Sequence, residues 1–232
     1  MQAQLGILYR QAKTVTRYLN RKGFVSSAIE YPSYVCNSIG GVASTSVFDF
    51  LGDNLPKVTE NKFRPGTSQW KHTLYPPISP SVRKGIFLFG DPMQATASLF
   101  RRNLCRVHLA NKGLPSFALS FEDYLDLSHD VFRTSEHIKN WTAGSSQYPV
   151  LCVKSEAVFE NGEKLCDFFG IDRNRERFPR RQDRSITTDL AELLGERKHS
   201  KLRDILSEAN SVVQQLPDIF VVEPGSNEPT SA

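Results

Sequence analysis

Residues 40–51 read GGVASTSVFDFL, and this stretch decides the fold class. Two glycines are followed by the hydroxyl cluster Ser44, Thr45 and Ser46, which runs into an apolar stretch with helical spacing. The segment before it, SYVCNSI at 33–39, is a short apolar run that predicts a buried strand. A strand, a glycine turn and a helix in this order are typical of a loop that binds a phosphate group, although this loop has no lysine. Ser44 and Thr45 are also ordinary N-cap residues, so the pattern alone leaves a plain helix cap open.

The strand–turn–helix pattern occurs twice more. In GIFLFGDPMQATASLFRRN, 85–103, a strand ends at Gly90, Asp91 caps a helix and Pro92 occupies its first position. In the third unit, a strand at 148–158 precedes a helix that ends at Gly170. Three such units predict an α/β domain with a central parallel sheet.

The remaining segments are assigned more loosely. Residues 54–84 predict a loop with a possible short strand at WKHTLY, 70–75, and residues 188–216 predict a helix with a break near Gly195. The chain is therefore divided into an amphipathic basic N-terminal helix at 1–30, an α/β domain at 31–220 and a disordered tail at 221–232.

Composition limits the class of ligand and compartment. A net charge of +4 suits an anionic small molecule better than nucleic acid, and 39% hydrophobic residues suit a globular domain. No apolar run approaches the roughly 20 residues that span a bilayer. The four cysteines form no CxxC pair, which predicts buried free thiols, no zinc site and a cytoplasmic location.

The N-terminal 29 residues contain no Asp or Glu, and four of their basic residues, Arg10, Lys13, Arg17 and Arg21, share one face of a predicted helix. This pattern has three interpretations: a helix packed on the domain, an organelle transit peptide, or a helix that lies on an anionic membrane. Peripheral membrane contact through this helix and organelle targeting therefore stay open beside the cytoplasmic location.

In an open parallel sheet, ligands bind beyond the carboxyl ends of the strands. The first two strands end at Gly40–Gly41 and at Gly90–Asp91, and each leads into a helix N-terminus. Two such N-termini side by side predict a site for two phosphate groups of one ligand.

Taken together, the three units resemble the PAPS-dependent sulfotransferase family over about residues 33–171. The loop at 40–46 is similar to the family's P-K-S-G-T-T-W segment, and the stretch from Gly90 to Ser98 is similar to its R-D-P-x-D-x-x-x-S signature. EHIKNW at 136–141 and CVKSEAVFENGEKLCDFFGID at 152–172 resemble the segments around its third strand. The resemblance implies a three-layer, P-loop-related fold and the cofactor PAPS (3′-phosphoadenosine 5′-phosphosulfate), with no metal.

The resemblance also implies roles for individual residues. The 5′-phosphosulfate would be held by Gly40, Gly41, Val42, Ala43, Ser44, Thr45 and Ser46, and the 3′-phosphate by Ser98. Gly41 replaces the loop lysine of the family, and Gly90 replaces the arginine that opens its second signature. Cations that could compensate are Lys71, Arg101, Arg102 and, in the arginine-rich segment 172–184, Arg180, Arg181 and Arg184.

QWKHTLYPP, 69–77, resembles the family segment that carries the catalytic base, which makes His72 the candidate base and Lys71 its catalytic neighbour. An exposed loop histidine is the alternative. Asp91 and Glu156 are weaker candidates, interpreted as a helix cap and a polar strand-end residue.

The predicted function is sulfuryl transfer from PAPS to a hydroxyl or amine of a small molecule or saccharide. The alternatives are a non-catalytic protein of this fold that binds a nucleotide or a protein partner, and a nucleotide-dependent phosphotransferase, which the missing lysine disfavours.

Overall fold

The computed structural model describes residues 33–42, 44–55, 71–144, 146–172, 178–179, 190–225 and 230–231. The predicted N-terminal helix at 1–30 lies outside these ranges, as do Ala43, Arg180, Arg181 and Arg184. Within them the chain is α/β, with a mostly parallel open sheet and helices between the strands.

The sheet has the order β1-β2-β3-β4-β5. Its strands are β1 (Tyr34–Ser38), β2 (Lys84–Phe89), β3 (Val150–Lys154), β4 (Ile219–Val222) and β5 (Thr230–Ser231). The first three are mutually parallel, with Ser38 opposite Leu88 and Phe89 opposite Lys154. Their carboxyl ends therefore lie along the same edge of the sheet, as the three predicted units require.

The sheet is not wholly parallel, which differs from the expectation of a parallel sheet. β4 runs antiparallel to β3, and β5 runs antiparallel to β4. The sequence analysis placed Val221 and Val222 in a disordered tail, whereas the structure places them in β4. Phe220 of this strand is fully buried, so burial of an aromatic ring favours the added strand over a disordered end.

Nine helices lie in the described ranges: α1 (Ser44–Asn54), α2 (Pro92–Arg101), α3 (Cys105–Asn111), α4 (Phe121–Asp126), α5 (Thr134–Thr142), α6 (Gly162–Phe169), α7 (Leu190–Leu194), α8 (Glu196–Ile205) and α9 (Ser207–Gln215). Gly195 separates α7 from α8, where the break was predicted, and Leu206 makes a second break before α9. Residues 71–75 form turns, so the possible strand at WKHTLY is absent from its described part.

Local sequence explains where these helices begin and end. The α1 residues Val47, Phe48 and Leu51 are buried at helical spacing and pack onto the sheet core. Gly170 ends α6 with a φ of 72° in the left-handed region, as a C-cap glycine does.

Two apolar clusters organise the molecule. The larger one covers the sheet and includes Ile86, Phe87, Leu151 and Val153. The second packs α2, α3, α4 and α8 together and includes Tyr124 and Phe132. The four cysteines are free and buried, as expected. Among the described residues, no helix is both long and apolar enough to cross a membrane.

Candidate anion site at the carboxyl end of β1

The glycine loop, which we define as Gly40–Val42 between β1 and α1, depends on its two glycines. Gly40 and Gly41 have φ angles of 93° and 69°, in the region that residues with a Cβ rarely adopt. A Cβ on Gly41 would lie 2.7 Å from the Ala95 carbonyl oxygen and 3.1 Å from Cβ of Ser98. The loop therefore packs directly against α2, and the structure brings together Gly41 and Ser98, both predicted to bind the cofactor.

The predicted loop hydroxyls differ in exposure. Ser44 is the first residue of α1 and is buried, whereas Thr45 and Ser46 are exposed in its first turn. Val42 is buried in the sheet core cluster. Of the predicted loop side chains in the described ranges, Thr45 and Ser46 are thus the ones at the surface.

His72 lies next to the loop, at the end of β1. Its Nδ1 is 2.7 Å from the Ser38 carbonyl oxygen, which can only accept a hydrogen bond. Nδ1 of the neutral ring therefore donates, and the lone pair is on Nε2. His72 is buried, so the alternative of an exposed loop histidine is wrong. Its φ of 65° lies in the left-handed region, which residues with a Cβ rarely adopt.

Two further buried histidines join His72, and we call the three the histidine cluster. The rings of His72 and His108 have centroids 4.0 Å apart. His137 Nε2 lies 2.9 Å from Oδ1 of Asn37, so it donates to the side chain beside Ser38. Burial, the largest cause, lowers the pKa of all three well below that of a free histidine, so each ring is neutral at pH 7.

Three cations surround the histidine cluster. Lys71, Lys112 and Arg102 each depress the pKa of His72 further, after burial. Burial lowers the pKa of Lys71 to about 8, while Asp49 opposes this shift. Lys71 Nζ also lies 5.5 Å from the ring centroid of Phe48 in α1, which places a cation beside the helix that follows the loop. These cations are the groups at this end of β1 that would attract an anion, while Asp49 acts against Lys71 and Asp130 and Glu136 act against Lys112.

The N-terminus of α2, where we expected a second anion site, is capped by Asp91. The Asp91 carboxylate accepts from Met93 N at 2.7 Å and from Gln94 N at 3.3 Å. Pro92 has no N–H, and Ala95 N bonds to the Asp91 carbonyl. The first-turn donors are thus used within the chain. Asp91 is the predicted helix cap, and a phosphate group at this helix end would compete with its carboxylate for the Met93 and Gln94 N–H groups.

Gly90, where the resembled family has an arginine, lies in a space closed by the segment after β3. A Cβ on Gly90 would lie 2.3 Å from Ser155 Oγ and 3.1 Å from a Glu156 carboxylate oxygen. A side chain at position 90 would therefore meet these groups. Glu156 places a carboxylate beside position 90.

The sequence reasoning missed the roles of His108, His137 and Asn37. The α3 residues Cys105, His108 and Leu109 are buried at helical spacing, so a histidine within an apolar helix face was the available signal for the first. His137 and Asn37 are 100 residues apart in sequence, and no local pattern predicts that contact. Among the described residues, no group of three or more His, Cys, Asp or Glu is arranged to hold a metal ion.

Comparison of the chain with protein-family models, with curated proteins and with solved structures found no match.

Proposed function

We propose that the chain is a sulfotransferase of the resembled kind, which moves a sulfuryl group from PAPS to a hydroxyl or amine of a small molecule or saccharide. The observation that carries the proposal is the packing of the glycine loop on α2 beside Ser98. A Cβ on Gly41 would lie within 3.1 Å of Cβ of Ser98, so two signature segments 57 positions apart, from 41 to 98, meet at one place.

The charges at the site support an anionic cofactor. The loop backbone and Thr45 and Ser46 would hold the 5′-phosphosulfate, and Lys71 would take the place of the loop lysine that the family has. Lys71 reaches α1 over the Phe48 ring, and a pKa of about 8 leaves most of its amine protonated at pH 7. For the 3′-phosphate, Ser98 fits, but Gly90 supplies no cation and the Glu156 carboxylate lies beside it.

His72 has the protonation state that a general base needs. Its Nδ1–H donates to Ser38, its Nε2 has the lone pair, and burial keeps the ring neutral. In the reaction, the acceptor oxygen or nitrogen attacks sulfur while its proton passes to Nε2. The bond between sulfur and the bridging phosphate oxygen breaks, and the electron pair stays on that oxygen, where Lys71 and the loop N–H groups stabilise it.

A non-catalytic protein that binds a nucleotide through the same loop is the second candidate. The use of the α2 N-terminus by Asp91 and the Glu156 carboxylate beside Gly90 favour it, because both reduce the positive charge available to a 3′-phosphate. A transfer assay separates the two candidates.

The first prediction concerns the loop hydroxyls. PAP, the product nucleotide, should raise the melting temperature because it binds only the folded state; at 100 times its Kd the stabilisation is about 2.7 kcal/mol. Thr45→Ala with Ser46→Ala should abolish this rise with little effect on the unliganded protein, since both side chains are exposed. Ser211→Ala, an exposed serine in α9, is the matched control. An equal rise in the double variant would place the phosphate elsewhere.

The second prediction concerns the base. His72→Asn keeps an amide that can donate to Ser38 and tolerates the left-handed backbone, but it removes the Nε2 lone pair. Turnover of labelled PAPS with a panel of phenols, alcohols and sugars should fall by about 10²- to 10⁴-fold, while PAP affinity changes little. His129→Asn is the control, because exposed His129 also donates Nδ1 to a carbonyl, that of Leu127.

Three outcomes of that assay are informative. Activity that rises with pH through a value below 6.5 supports His72, because burial lowers its pKa. Full activity of the His72→Asn variant would remove His72 as the base. Binding of PAP without any transfer by the unmodified protein would establish the non-catalytic candidate.

A further inference from the structure

The His108 ring contacts both the glycine loop and His72. A Cβ on Gly40 would lie 2.1 Å from its Cε1 atom and 2.9 Å from its Nδ1. The centroid of the His108 ring is 4.0 Å from that of the His72 ring, with 34° between the two planes. One side chain of α3 thus contacts both the loop and the proposed base.

Packing, rather than a hydrogen bond at Nδ1, sets the orientation of this ring. His108 is 3% exposed, and its Nδ1 is buried with no hydrogen-bond partner among the residues that the structure describes. Buried polar atoms are nearly always hydrogen-bonded, so an orphan nitrogen next to the glycine loop calls for an explanation. With no hydrogen bond at that nitrogen, the position of the ring depends on its packing against these neighbours.

We propose that His108 is a positioning residue that couples the backbone of the glycine loop to the ring of His72. An anion that fixes the loop then also fixes the base, through a single intervening side chain. The catalytic consequence rests on the proposed function of the site. The coupling itself is a property of the packing and can be measured without a ligand.

Gly40 and Gly41 provide a matched pair of test positions. Both have positive φ, so alanine is strained at each, but an added methyl group meets His108 at Gly40 and α2 at Gly41. If His108 transmits a shift of the glycine loop, His108→Ala should change the effect of Gly40→Ala and should not change the effect of Gly41→Ala.

The test combines stability and spectroscopy on the full chain. Gly40→Ala and Gly41→Ala are each made alone and with His108→Ala, and melting temperatures are measured. The decrease in melting temperature caused by Gly40→Ala should be about half or less when His108→Ala has made space for the methyl group. The decrease caused by Gly41→Ala should be the same with and without His108→Ala. If His108→Ala does not fold, His108→Asn, which is also smaller than the ring, replaces it.

The second readout is the NMR signal of the His72 ring in protein with labelled histidine, assigned with His72→Asn. Gly40→Ala should shift this signal in the His108 protein and leave it in place in the His108→Ala background. If His108 had only a structural role, His108→Ala would lower the stability, but it would not change the effect of Gly40→Ala on the His72 signal. Additive melting temperatures, or a His72 shift that persists without the His108 ring, would overturn the inference.

The proposed function fails by a different result, the absence of PAP binding and of sulfuryl transfer in the unmodified protein. Even then, the coupling would be supported if Gly40→Ala shifts the His72 NMR signal in the ligand-free protein and no longer does so when His108 is alanine. The two failures are therefore distinguishable.

Discussion

At the scale of single residues, the histidine cluster is the feature with the clearest physical consequence. His72, His108 and His137 are buried and neutral, with Lys71, Lys112 and Arg102 near enough to disfavour a further positive charge. Each histidine has a folded-state pKa below that of the unfolded chain, which is about 6.5. Below that pH the unfolded state binds more protons than the folded state, so acid destabilises the protein.

The third prediction follows from this linkage. The stability that the buried histidines contribute should be complete above pH 6.5 and should be lost as pH falls below it, at about 1.4 kcal/mol per pH unit for each ring that stays neutral. Urea unfolding between pH 7.5 and 5.5 measures the slope. His108→Asn should reduce the slope by the equivalent of about one proton, because it removes one of the three buried neutral rings. A flat profile in the unmodified protein would contradict the prediction.

At the scale of elements, β4 shows how a short segment can complete a sheet. Its residues Ile219–Val222 alternate between partly and fully buried, with Phe220 and Val222 facing the core. Lys154 at the end of β3 donates its backbone N–H to the Asp218 carbonyl and forms an ion pair with the Asp218 side chain. β4 therefore covers what would otherwise be an open edge of β3.

The fourth prediction tests this strand by two truncations. A chain that ends at Pro217 loses β4, and the loss of the buried Phe220 ring alone should cost about 3–5 kcal/mol of unfolding free energy. A chain that ends at Gly225 keeps β4 and should lose much less. Urea unfolding and exposure of hydrophobic surface to a dye provide the measurements. Equal stability of the two truncated chains would show that the sheet does not depend on β4.

At the scale of the whole molecule, the parallel part of the fold could be predicted because its signals are local. Each of these signals acts within a few residues. They are an apolar run that ends in glycine, Asp91 before Pro92, and Gly170 after an amphipathic segment. β4 could not be predicted in the same way, because four residues have little periodicity and their partner strand begins at Val150. Antiparallel pairing there is decided by burial in the complete sheet.

The same distinction applies to the candidate site. The glycine loop and Ser98 follow from the order of segments, and their contact through Gly41 required the structure. The histidine cluster joins residues of a loop, α3 and α5, so its members have no common spacing in the sequence. The filled N-terminus of α2 was visible as a predicted Asp91 cap, but its effect on anion binding depends on how many donors remain.

The closed space around Gly90 limits the order in which substitutions can accumulate at this site. An arginine introduced at position 90 would begin with a Cβ 2.3 Å from Ser155 Oγ, so the Ser155 side chain must shift before the arginine fits. Replacing Ser155 by glycine first removes the obstacle, and neutralising Glu156 removes a carboxylate that would otherwise take up the new guanidinium. The effect of a cation at position 90 should therefore depend on Ser155 and Glu156, the two residues that follow β3.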